Sequence, residues 1–482
     1  MPKRKRPTSM YFASLDIENV RCFGGSQRLY LTGQNGQPAR WTLMLGDNGV
    51  GKTTLLQCLA WMRLVPESGF EIGLPDKDDN SGEPPPLTKG RLGPALPEEE
   101  KNEIFESLLR VDSGEELTLE ATLSFGARLS PADTSQTNAE GRGKAIRTGV
   151  QLFFDTKGRL SDFKPRGRPK VETTLGGEFH EPLVVTYGAN RQIGKQNLDD
   201  LDDPAIATRL SERTELYDIE LILSSLDYAA TKDSKSREQT QLERLRVVLA
   251  KILPENRQPA DIKIFPPDVL DLGVLSGVRV KTFSGLVPMS ALSLGYQTTL
   301  AWTADLAWRL LKRYPGSPNP LDEPAVVLID EIDLHLHPLW QLRIVDDLSA
   351  IFSGTQFIAT AHSPLMVQVA ETANLVLLRK RENDVEIVND PEVVRSWRVD
   401  QILMSELFAV PRARNVETER LFARRDELVD KSPRSPAEER ELKRLRAQIS
   451  KLPTAQDPED QKAVDYIREV AALLKKHKVV GS

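Results

Sequence analysis

The chain has 482 residues, of which 39% are hydrophobic, and a formal net charge of −6. This acidic balance excludes a chain-wide polycation for nucleic-acid binding, although the basic residues at 164–170 are suited to local contacts with phosphate backbones. No apolar run approaches the roughly 20 residues that span a bilayer, no secretory signal is visible, and Cys22 and Cys58 cannot form a disulfide framework, so we expect a cytoplasmic protein without a membrane partner.

The first 65 residues predict strands that lead into a glycine-rich loop. Residues 11–20 alternate between apolar and polar side chains, as a strand with one buried face does, and residues 29–31 predict a second strand. The apolar run at 41–45 predicts a third strand, and residues 53–61 predict the helix behind the loop. Strand, glycine loop and helix in this order are the context of a phosphate-binding loop.

The loop itself fits the pattern G-x-x-x-x-G-K-[ST]. Glycines let the backbone curl so that successive N–H groups point at phosphate oxygens, and the helix behind adds its positive dipole end. The lysine supplies a mobile positive charge for the β- and γ-phosphates of ATP, and the threonine hydroxyl serves Mg²⁺. The predicted nucleotide-binding residues of the loop are Gly46, Asp47, Asn48, Gly49, Val50, Gly51, Lys52, Thr53 and Thr54.

The middle of the chain predicts an insertion, a β-rich lobe and a helical lobe. Strands are predicted at 116–125, 148–154 and 183–187, and residues 164–170 are predicted as a basic loop. Apolar residues from Leu216 to Leu226 recur at helical spacing, and residues 238–253 predict a second helix. No sustained heptad array is present, so the sequence predicts no long coiled-coil arm.

The last part of the chain alternates short apolar strands with helices, which predicts an α/β fold with a parallel core sheet. The strands are predicted at 325–330, 356–360 and 375–378, and the helices at 302–312 and 339–352. Beyond residue 412 the charged sequence predicts three more helices, at 417–430, 436–451 and 458–476.

Five segments follow from this organisation. They are a first ATPase segment at 1–65, an insertion with a β-rich lobe at 66–182, a helical lobe at 183–288, a second ATPase segment at 289–411 and a C-terminal helical region at 412–482.

Asp330 and Glu331 close the apolar run at 325–330. Together with a phosphate loop they predict a Walker B site, in which Asp330 serves Mg²⁺, partly through water, and Glu331 orients and deprotonates the attacking water. The alternative is that these acids cap the next helix, as acids at strand ends often do.

Two further motifs stand where such a site needs them. Ser293 and Gly295 precede an apolar helix and can offer a hydroxyl and backbone N–H groups to an anion, although an ordinary N-cap is the alternative. His362 follows the strand at 356–360 and can hydrogen-bond a γ-phosphate. His335 and His337 with His362 also permit a metal cluster, but no cysteine or third close ligand accompanies them, which favours the ATPase interpretation.

In this order, the phosphate loop, Ser-x-Gly-x-Gln, Asp-Glu and strand-end histidine resemble the head of an ABC-class ATPase. The stretches 17–23, 330–338 and 360–364 resemble the branch that contains RecF, the overcoming-lysogenization-defect proteins and bacterial antiphage defence ATPases such as PtuA of Septu and AriA of PARIS. The resemblance covers roughly residues 10–65 and 290–380. It implies a mixed, largely parallel sheet core with helices, an antiparallel β lobe and a helical lobe, followed here by C-terminal helices.

This resemblance also implies a composite site, in which two heads of a homo-oligomer, a head-to-head dimer or larger, enclose two ATP molecules. Ser293 and Gly295 would contact the nucleotide of the second subunit, His362 would sense the γ-phosphate, and Arg21 would lie against the base or the phosphates.

The signature segment departs from that of transporters, because Leu294 and Tyr296 stand where transporters usually have glycines. No glutamine can be assigned to the Q-loop from the sequence; Gln192 is the nearest candidate.

The leading functional hypothesis is an ATPase subunit of an antiphage defence complex that controls a separate nuclease effector of HNH or Toprim type. The residues after His362 contain no Asp-x-Asp pair, so no fused Toprim nuclease is expected. The alternative is a RecF-like clamp that binds DNA in an ATP-dependent manner during repair or recombination. A third hypothesis is a scaffold whose ATP is structural and turns over very slowly.

Overall fold

A computed structural model describes the protein as two compact units, residues 1–408 and 409–482. The described residues are 9–62, 64–66, 90–92, 108–109, 116–125, 129, 144–154, 159–166, 183–196, 213–232, 236–253, 258–266, 276–282, 284–369, 373–382, 384–389, 391, 397, 399–405, 408, 416–431 and 433–449. No helix among these residues is long and apolar enough to cross a membrane.

The strands are β1 (Met10–Glu18), β2 (Gln27–Tyr30), β3 (Trp41–Leu45), β4 (Leu64–Pro66), β5 (Gly90–Leu92), β6 (Glu116–Phe125), β7 (Lys144–Phe154), β8 (Leu160–Arg166), β9 (Leu183–Tyr187), β10 (Asn190–Gln196), β11 (Arg213–Tyr217), β12 (Ile262–Phe265), β13 (Gly277–Thr282), β14 (Gly285–Pro288), β15 (Ala325–Ile329), β16 (Thr355–Thr360), β17 (Asn374–Lys380) and β18 (Val385–Asn389). The α-helices are α1 (Lys52–Trp61), α2 (Ile219–Lys232), α3 (Arg237–Ile252), α4 (Leu294–Arg313), α5 (Pro338–Gln341), α6 (Ile344–Ile351), α7 (Pro364–Val369), α8 (Val399–Met404), α9 (Val416–Asp430) and α10 (Pro436–Ile449).

A six-stranded sheet forms the centre of the first unit, in the order β18-β17-β3-β16-β15-β9. All neighbours pair in parallel except β17 and β18. The register places Val327 opposite Phe357 and Phe357 opposite Trp41, whose ring stacks on Phe357 with centroids 4.3 Å apart. Because the strands run parallel, the carboxyl ends of β3, β15 and β16 meet at one edge of the sheet.

The central sheet is buried on both faces, which explains why its strands are apolar runs without alternation. Leu43, Val327 and Phe357 face a core shared with α2, α3 and α4. The residues between them in each strand, such as Met44 and Val326, point to the other face of the sheet and lie in a second core shared with α1 and β1. The phosphate loop between β3 and α1 is therefore held by a rigid strand and a helix buried against it.

Two lobes flank the central sheet. A five-stranded antiparallel sheet has the order β2-β1-β6-β7-β8. Helices α2 and α3 pack on each other and on the antiparallel sheet β12-β13-β14. The fold class predicted from the sequence, a mixed sheet core with helices, an antiparallel β lobe and a helical lobe, is confirmed.

Some predicted elements differ from the observed ones. Leu216 lies in β11 rather than in a helix, because it and Ile219 bury their side chains in the same core from either side of a turn. The segment 164–166 ends β8, where its backbone pairs with β7, rather than lying in a loop. The helix predicted at 339–352 is interrupted at Arg343, whose φ of −126° is not helical.

The C-terminal unit contains α9 and α10, as predicted. Leu428, Val429, Leu442 and Leu445 form its small apolar core. The Ser435 hydroxyl accepts from the Glu438 N–H while the Glu438 carboxylate accepts from the Ser435 N–H, a capping box that starts α10. The predicted helix at 458–476 and most of the predicted insertion that begins at residue 66 lie outside the described residues.

Candidate functional site

The phosphate loop has a backbone that only glycine adopts readily at three positions. Gly46, Gly49 and Gly51 have φ of +140°, +79° and +83°. A Cβ on Gly51 would lie 2.5 Å from Sγ of Cys22, and one on Gly46 would lie 2.5 Å from the carbonyl oxygen of Leu378. The curl of the loop therefore requires all three glycines, and its close packing requires Gly46 and Gly51.

Lys52 begins α1 with its ammonium turned back over the loop. Its Nζ donates hydrogen bonds to the carbonyl oxygens of Gly46 at 2.7 Å and Asp47 at 2.8 Å. Burial lowers the pKa of Lys52, and the charges of Asp330 and Glu331 oppose that shift. The loop thus holds the partly desolvated ammonium of Lys52 beside two acids. An anionic ligand in the loop would stabilise this positive charge.

Asp330 follows β15 and joins the phosphate loop to the strand-end edge of the sheet. Its Oδ2 accepts a hydrogen bond of 2.7 Å from the Thr53 hydroxyl, and its Oδ1 accepts one of 2.7 Å from the Thr360 hydroxyl. Two donors from α1 and β16 therefore fix both carboxylate oxygens. A hydroxyl and a carboxylate side by side are the hard oxygen ligands that Mg²⁺ prefers.

Glu331 has a left-handed backbone, with φ of +49°. Its N–H donates to Oγ1 of Thr360 at 2.7 Å, and its Oε1 lies 4.0 Å from Nε2 of His362. Both side chains are 35% exposed. The Asp333 carboxylate accepts from the backbone N–H groups of His362 and Ser363, at 2.9 and 2.6 Å, and so fixes the loop that carries the histidine.

Arg21 reaches the same region from the tight turn after β1. That turn is closed by reciprocal backbone hydrogen bonds between Val20 and Phe23, and Arg21 has φ of +44°. Its guanidinium donates to Oγ1 of Thr54 at 3.2 Å and to Oε1 of Gln57 at 3.1 Å, both on α1. An arginine is thus held over the first turn of the phosphate-loop helix.

These elements enclose one cavity of about 290 Å³. Its lining residues are Arg21, Cys22, Asn48, Gly49, Gly51, Lys52, Thr53, Thr54, Asp330, Glu331 and His362. Residues that are up to 341 positions apart in sequence are brought together there, as the motif series predicts. Gly46, Asp47 and Val50 shape the loop and do not line the cavity.

Ser293 and Gly295 lie elsewhere. Ser293 is the N-cap of α4, it is exposed, and its hydroxyl makes no capping hydrogen bond. The neighbouring Leu294 is 57% exposed, while Gly295 packs so closely on the carbonyl oxygen of His335 that no side chain fits between them. Gln192 lies in β10 opposite Glu215 and does not line the cavity.

Three residues with structural roles at the site were not predicted from the sequence. Thr360 and Asp333 organise the two acids and the histidine loop, as described above. Arg191, 9% exposed, donates from one guanidinium nitrogen to the carbonyl oxygens of Asp330 at 2.6 Å and Glu331 at 3.3 Å. Burial lowers the pKa of Arg191 to about 10, against the opposing charge of Asp330. Of these three residues, only Thr360 has a position that the sequence could have indicated, because it ends β16, the strand that pairs with β15 next to Asp330.

The histidines at 335 and 337 have other structural roles. Nδ1 of His337 accepts from the Leu339 N–H at 3.3 Å and caps α5, and His335 has φ of +63° in the turn before it. Within the described residues, no three His, Cys, Asp or Glu side chains are grouped so as to hold a metal ion.

The sequence from residue 42 to residue 367 matches the model of the family described as "AAA domain, putative AbiEii toxin, Type IV TA system" (AAA_21). The chain belongs to this family. The match includes the phosphate loop, Asp330, Glu331 and His362, and it confirms the predicted resemblance to an ABC-class P-loop ATPase.

Curated relatives of this AAA_21 chain include a retron probable ATPase and two Septu proteins. The Retron Ec83 probable ATPase of Escherichia coli is 41% identical over 111 residues, 23% of this chain and 20% of the relative. The Septu protein PtuA of Bacillus mycoides (strain KBAB4) is 32% identical over 180 residues, 36% of this chain and 25% of the relative. The Septu protein PtuA of Bacillus thuringiensis is 34% identical over 132 residues, 26% of this chain and 33% of the relative. The aligned part of the chain spans a fifth to a third of the length of these relatives.

Among solved structures, an SMC head bound to the C-winged helix domain of ScpA is 13% identical, with a TM-score of 0.40, over 78% of this chain and 97% of that one. RecF, as "recombination mediator protein RecF-ATPrS", is 13% identical with a TM-score of 0.36, over 80% of this chain and 100% of that one.

Proposed function

We propose that this chain binds Mg²⁺-ATP in the cavity between the phosphate loop and Asp330 and hydrolyses it as the ATPase component of an antiphage defence system. The observation that carries the proposal is the 2.7 Å hydrogen bond from Thr53 to Asp330, with Glu331 and His362 on the same cavity. Membership of the AAA_21 family supports the same chemistry.

The residues present fit both the nucleotide and the metal. The glycine loop and Lys52 would hold the β- and γ-phosphates, and Arg21 would lie along the triphosphate or the base. Thr53 and Asp330 would hold Mg²⁺, Asp330 partly through water. When bound, Mg²⁺ neutralises charge on the β- and γ-phosphate oxygens.

Hydrolysis then depends on Glu331 and His362. Glu331 would orient the attacking water in line with the γ-phosphate and accept its proton. The nearby His362 ring would donate a hydrogen bond to the γ-phosphate. Each group is partly exposed to the cavity and held on a fixed backbone, which suits a group that must meet a ligand.

A defence role is supported by the names of the relatives, two Septu PtuA proteins and a retron ATPase.

We further propose that two or more copies assemble head to head around ATP and control a separate nuclease effector. The exposed Ser293 hydroxyl, which caps nothing in its own helix, supports a contact with a nucleotide bound by another copy. Nucleotide binding and hydrolysis would set the assembly state and so restrain or release the nuclease.

ATP turnover by the purified chain tests the catalytic part. Glu331→Gln should keep ATP binding and lower turnover by about a hundredfold or more, since it removes the base but not the loop. Lys52→Met should weaken binding itself. Glu243→Gln, which alters an exposed acid of α3 that does not line the cavity, is the matched control and should behave as wild type. Equal turnover by wild type and Glu331→Gln would refute hydrolysis at this site and favour a structural nucleotide.

Assembly is tested by mass photometry of the chain co-expressed with the protein encoded beside it, with and without ATP. A complex that contains a nuclease, with a mass that changes with ATP, is the expected result. A lone monomer or dimer that binds duplex DNA only with ATP, with steep salt dependence, would instead support the RecF-like clamp.

A further inference from the structure

Arg191 lies directly behind the turn that carries the two acids. It lies in β10, just after β9, the strand that pairs with β15. Its guanidinium donates to two successive carbonyl oxygens, those of Asp330 and Glu331. The side chain is buried and does not line the cavity. It therefore holds the main chain of the turn without lining the cavity.

The turn needs such a partner because Glu331 has a left-handed backbone. Residues with a Cβ adopt this region only where surrounding contacts hold them there. The N–H groups of the turn are held by Tyr187 and Thr360: Asp330 N–H donates to the Tyr187 carbonyl at 2.7 Å, and Glu331 N–H donates to the Thr360 hydroxyl at 2.7 Å. Arg191 holds the carbonyl side.

The two acids differ in how their carboxylates are fixed. The Asp330 carboxylate accepts from two hydroxyls, those of Thr53 and Thr360. Within the described part of the chain, the Glu331 carboxylate accepts no hydrogen bond, and its Oε1 lies 4.0 Å from Nε2 of His362. The direction of the Glu331 side chain is consequently set by its backbone, and the backbone is held by Arg191.

We infer that Arg191 is a positioning residue for Glu331: by binding the carbonyl oxygens of Asp330 and Glu331 it keeps the left-handed turn that aims the Glu331 carboxylate into the cavity. This inference rests on the proposed ATPase function. It assigns Arg191 no contact with ATP and no part in holding Mg²⁺.

The test compares Arg191→Met, Arg191→Lys and Arg244→Met with wild type in the full-length chain. Arg244 is a matched control because its guanidinium also donates to a backbone carbonyl, that of Pro318 at 2.5 Å, on a surface away from the cavity. For Arg191→Met we expect turnover to fall about tenfold or more, since a misdirected base loses alignment with its water. We expect the ATP dissociation constant, with Mg²⁺ and with EDTA, to change less than about threefold. The phosphate loop, Lys52 and the hydrogen bonds from the threonine hydroxyls to Asp330 all remain in this variant.

Arg191→Lys should recover part of the turnover, because an ammonium can reach one carbonyl oxygen but cannot reproduce the planar guanidinium. Arg244→Met should leave turnover and binding at the wild-type level. If Arg191→Met does not fold, which a thermal melt will reveal, Arg191→Lys carries the test in its place.

A double-mutant cycle separates positioning from general damage. Adding Arg191→Met to Glu331→Gln should lower turnover little further, because both changes remove the same function. Independent, multiplicative losses would overturn the inference, as would wild-type turnover in Arg191→Met or a loss of ATP affinity that matches the loss of turnover. Equal turnover by wild type and Glu331→Gln would instead refute the proposed function itself.

Discussion

The Thr53 hydroxyl donates a 2.7 Å hydrogen bond to the carboxylate of Asp330, 277 residues further along the chain. This contact brings together the two oxygen groups that suit Mg²⁺. Thr53→Val keeps the shape and removes the hydroxyl, so it should weaken the effect of Mg²⁺ on ATP affinity by about tenfold or more. Thr53→Ser keeps the hydroxyl and is the control. The measurement is the ATP dissociation constant with Mg²⁺ and with EDTA; an equal Mg²⁺ effect in all three proteins would contradict the assignment.

Gly295 should tolerate no side chain. A Cβ there would collide with the carbonyl oxygen of His335, so Gly295→Ala must move the start of α4 away from the turn. We expect a loss of about 1–3 kcal/mol in the free energy of unfolding, measured by urea denaturation. Gly25→Ala, where nothing lies within 4 Å of the added Cβ, is the matched control and should lose much less.

The buried pair of Asp305 and Arg309 should contribute strongly to stability. Asp305 accepts from Nε of Arg309 at 2.7 Å, from the Tyr187 hydroxyl at 2.7 Å and from the Tyr217 N–H at 3.1 Å. Asp305→Asn leaves a buried cation without its counter-charge, so we expect a loss of about 3 kcal/mol or more in the free energy of unfolding.

Asp227→Asn tests a second aspartate–arginine pair under the same conditions. Asp227 lies 3.4 Å from Arg246 and is 36% exposed. Its replacement should cost about 1 kcal/mol or less, because solvent screens the pair. Similar losses in the two variants would show that burial does not govern the strength of these pairs.

Cys22 should report nucleotide binding through its reactivity. It is partly exposed and lines the cavity beside Gly51, whereas Cys58 is fully buried in α1. An alkylating reagent should therefore label Cys22 in the folded protein and leave Cys58 unlabelled, and ATP should slow the labelling of Cys22. Peptide mass spectrometry after timed labelling measures both rates. Labelling of Cys22 that is insensitive to saturating ATP would place the nucleotide elsewhere.

The buried thiol of Cys58 should lower the free energy of unfolding at alkaline pH. Burial raises the pKa of its thiol from 9.0 to about 12, so the folded state keeps the proton after the unfolded state has lost it. The stabilisation is complete below pH 9 and is lost as the pH rises from about 9 to about 12. At pH 10 the loss attributable to this thiol is roughly 1 kcal/mol.

Urea denaturation at pH 8 and pH 10 checks this value. Wild type should lose roughly 1 kcal/mol more between the two pH values than Cys58→Ala does, because only wild type has this titrating group. The smaller side chain of the variant lowers stability at both pH values and cancels in the difference. An identical pH response of the two proteins would contradict a buried, protonated thiol.

Much of the central sheet could be predicted because its strands are buried on both faces and are therefore continuous apolar runs, as at Trp41–Leu45 and Ala325–Ile329. The phosphate loop and Asp330 could be predicted because their chemistry requires particular residue types at fixed spacing. In contrast, Leu216 shared a helical spacing with Ile219 by coincidence, since two different elements bury them in one core.

Arg191 could not be predicted for a different reason. Its partners are main-chain carbonyl oxygens 139 and 140 residues away, and main-chain groups leave no trace in the residue types of either segment. Thr360 differs, because its position at the end of the strand beside β15 was a usable signal, although a threonine at a strand end is common.

The position of β3 has a consequence for synthesis of the protein. This strand precedes the phosphate loop, yet both of its neighbours, β16 and β17, come from residues 355–380. While the ribosome makes the intervening residues, both edges of an apolar strand have no partner in the sheet, a state that favours aggregation. The nascent chain should therefore need a chaperone until residue 380 has emerged, and ribosome-bound fragments that end before β16 should bind ATP poorly although they contain the whole phosphate loop.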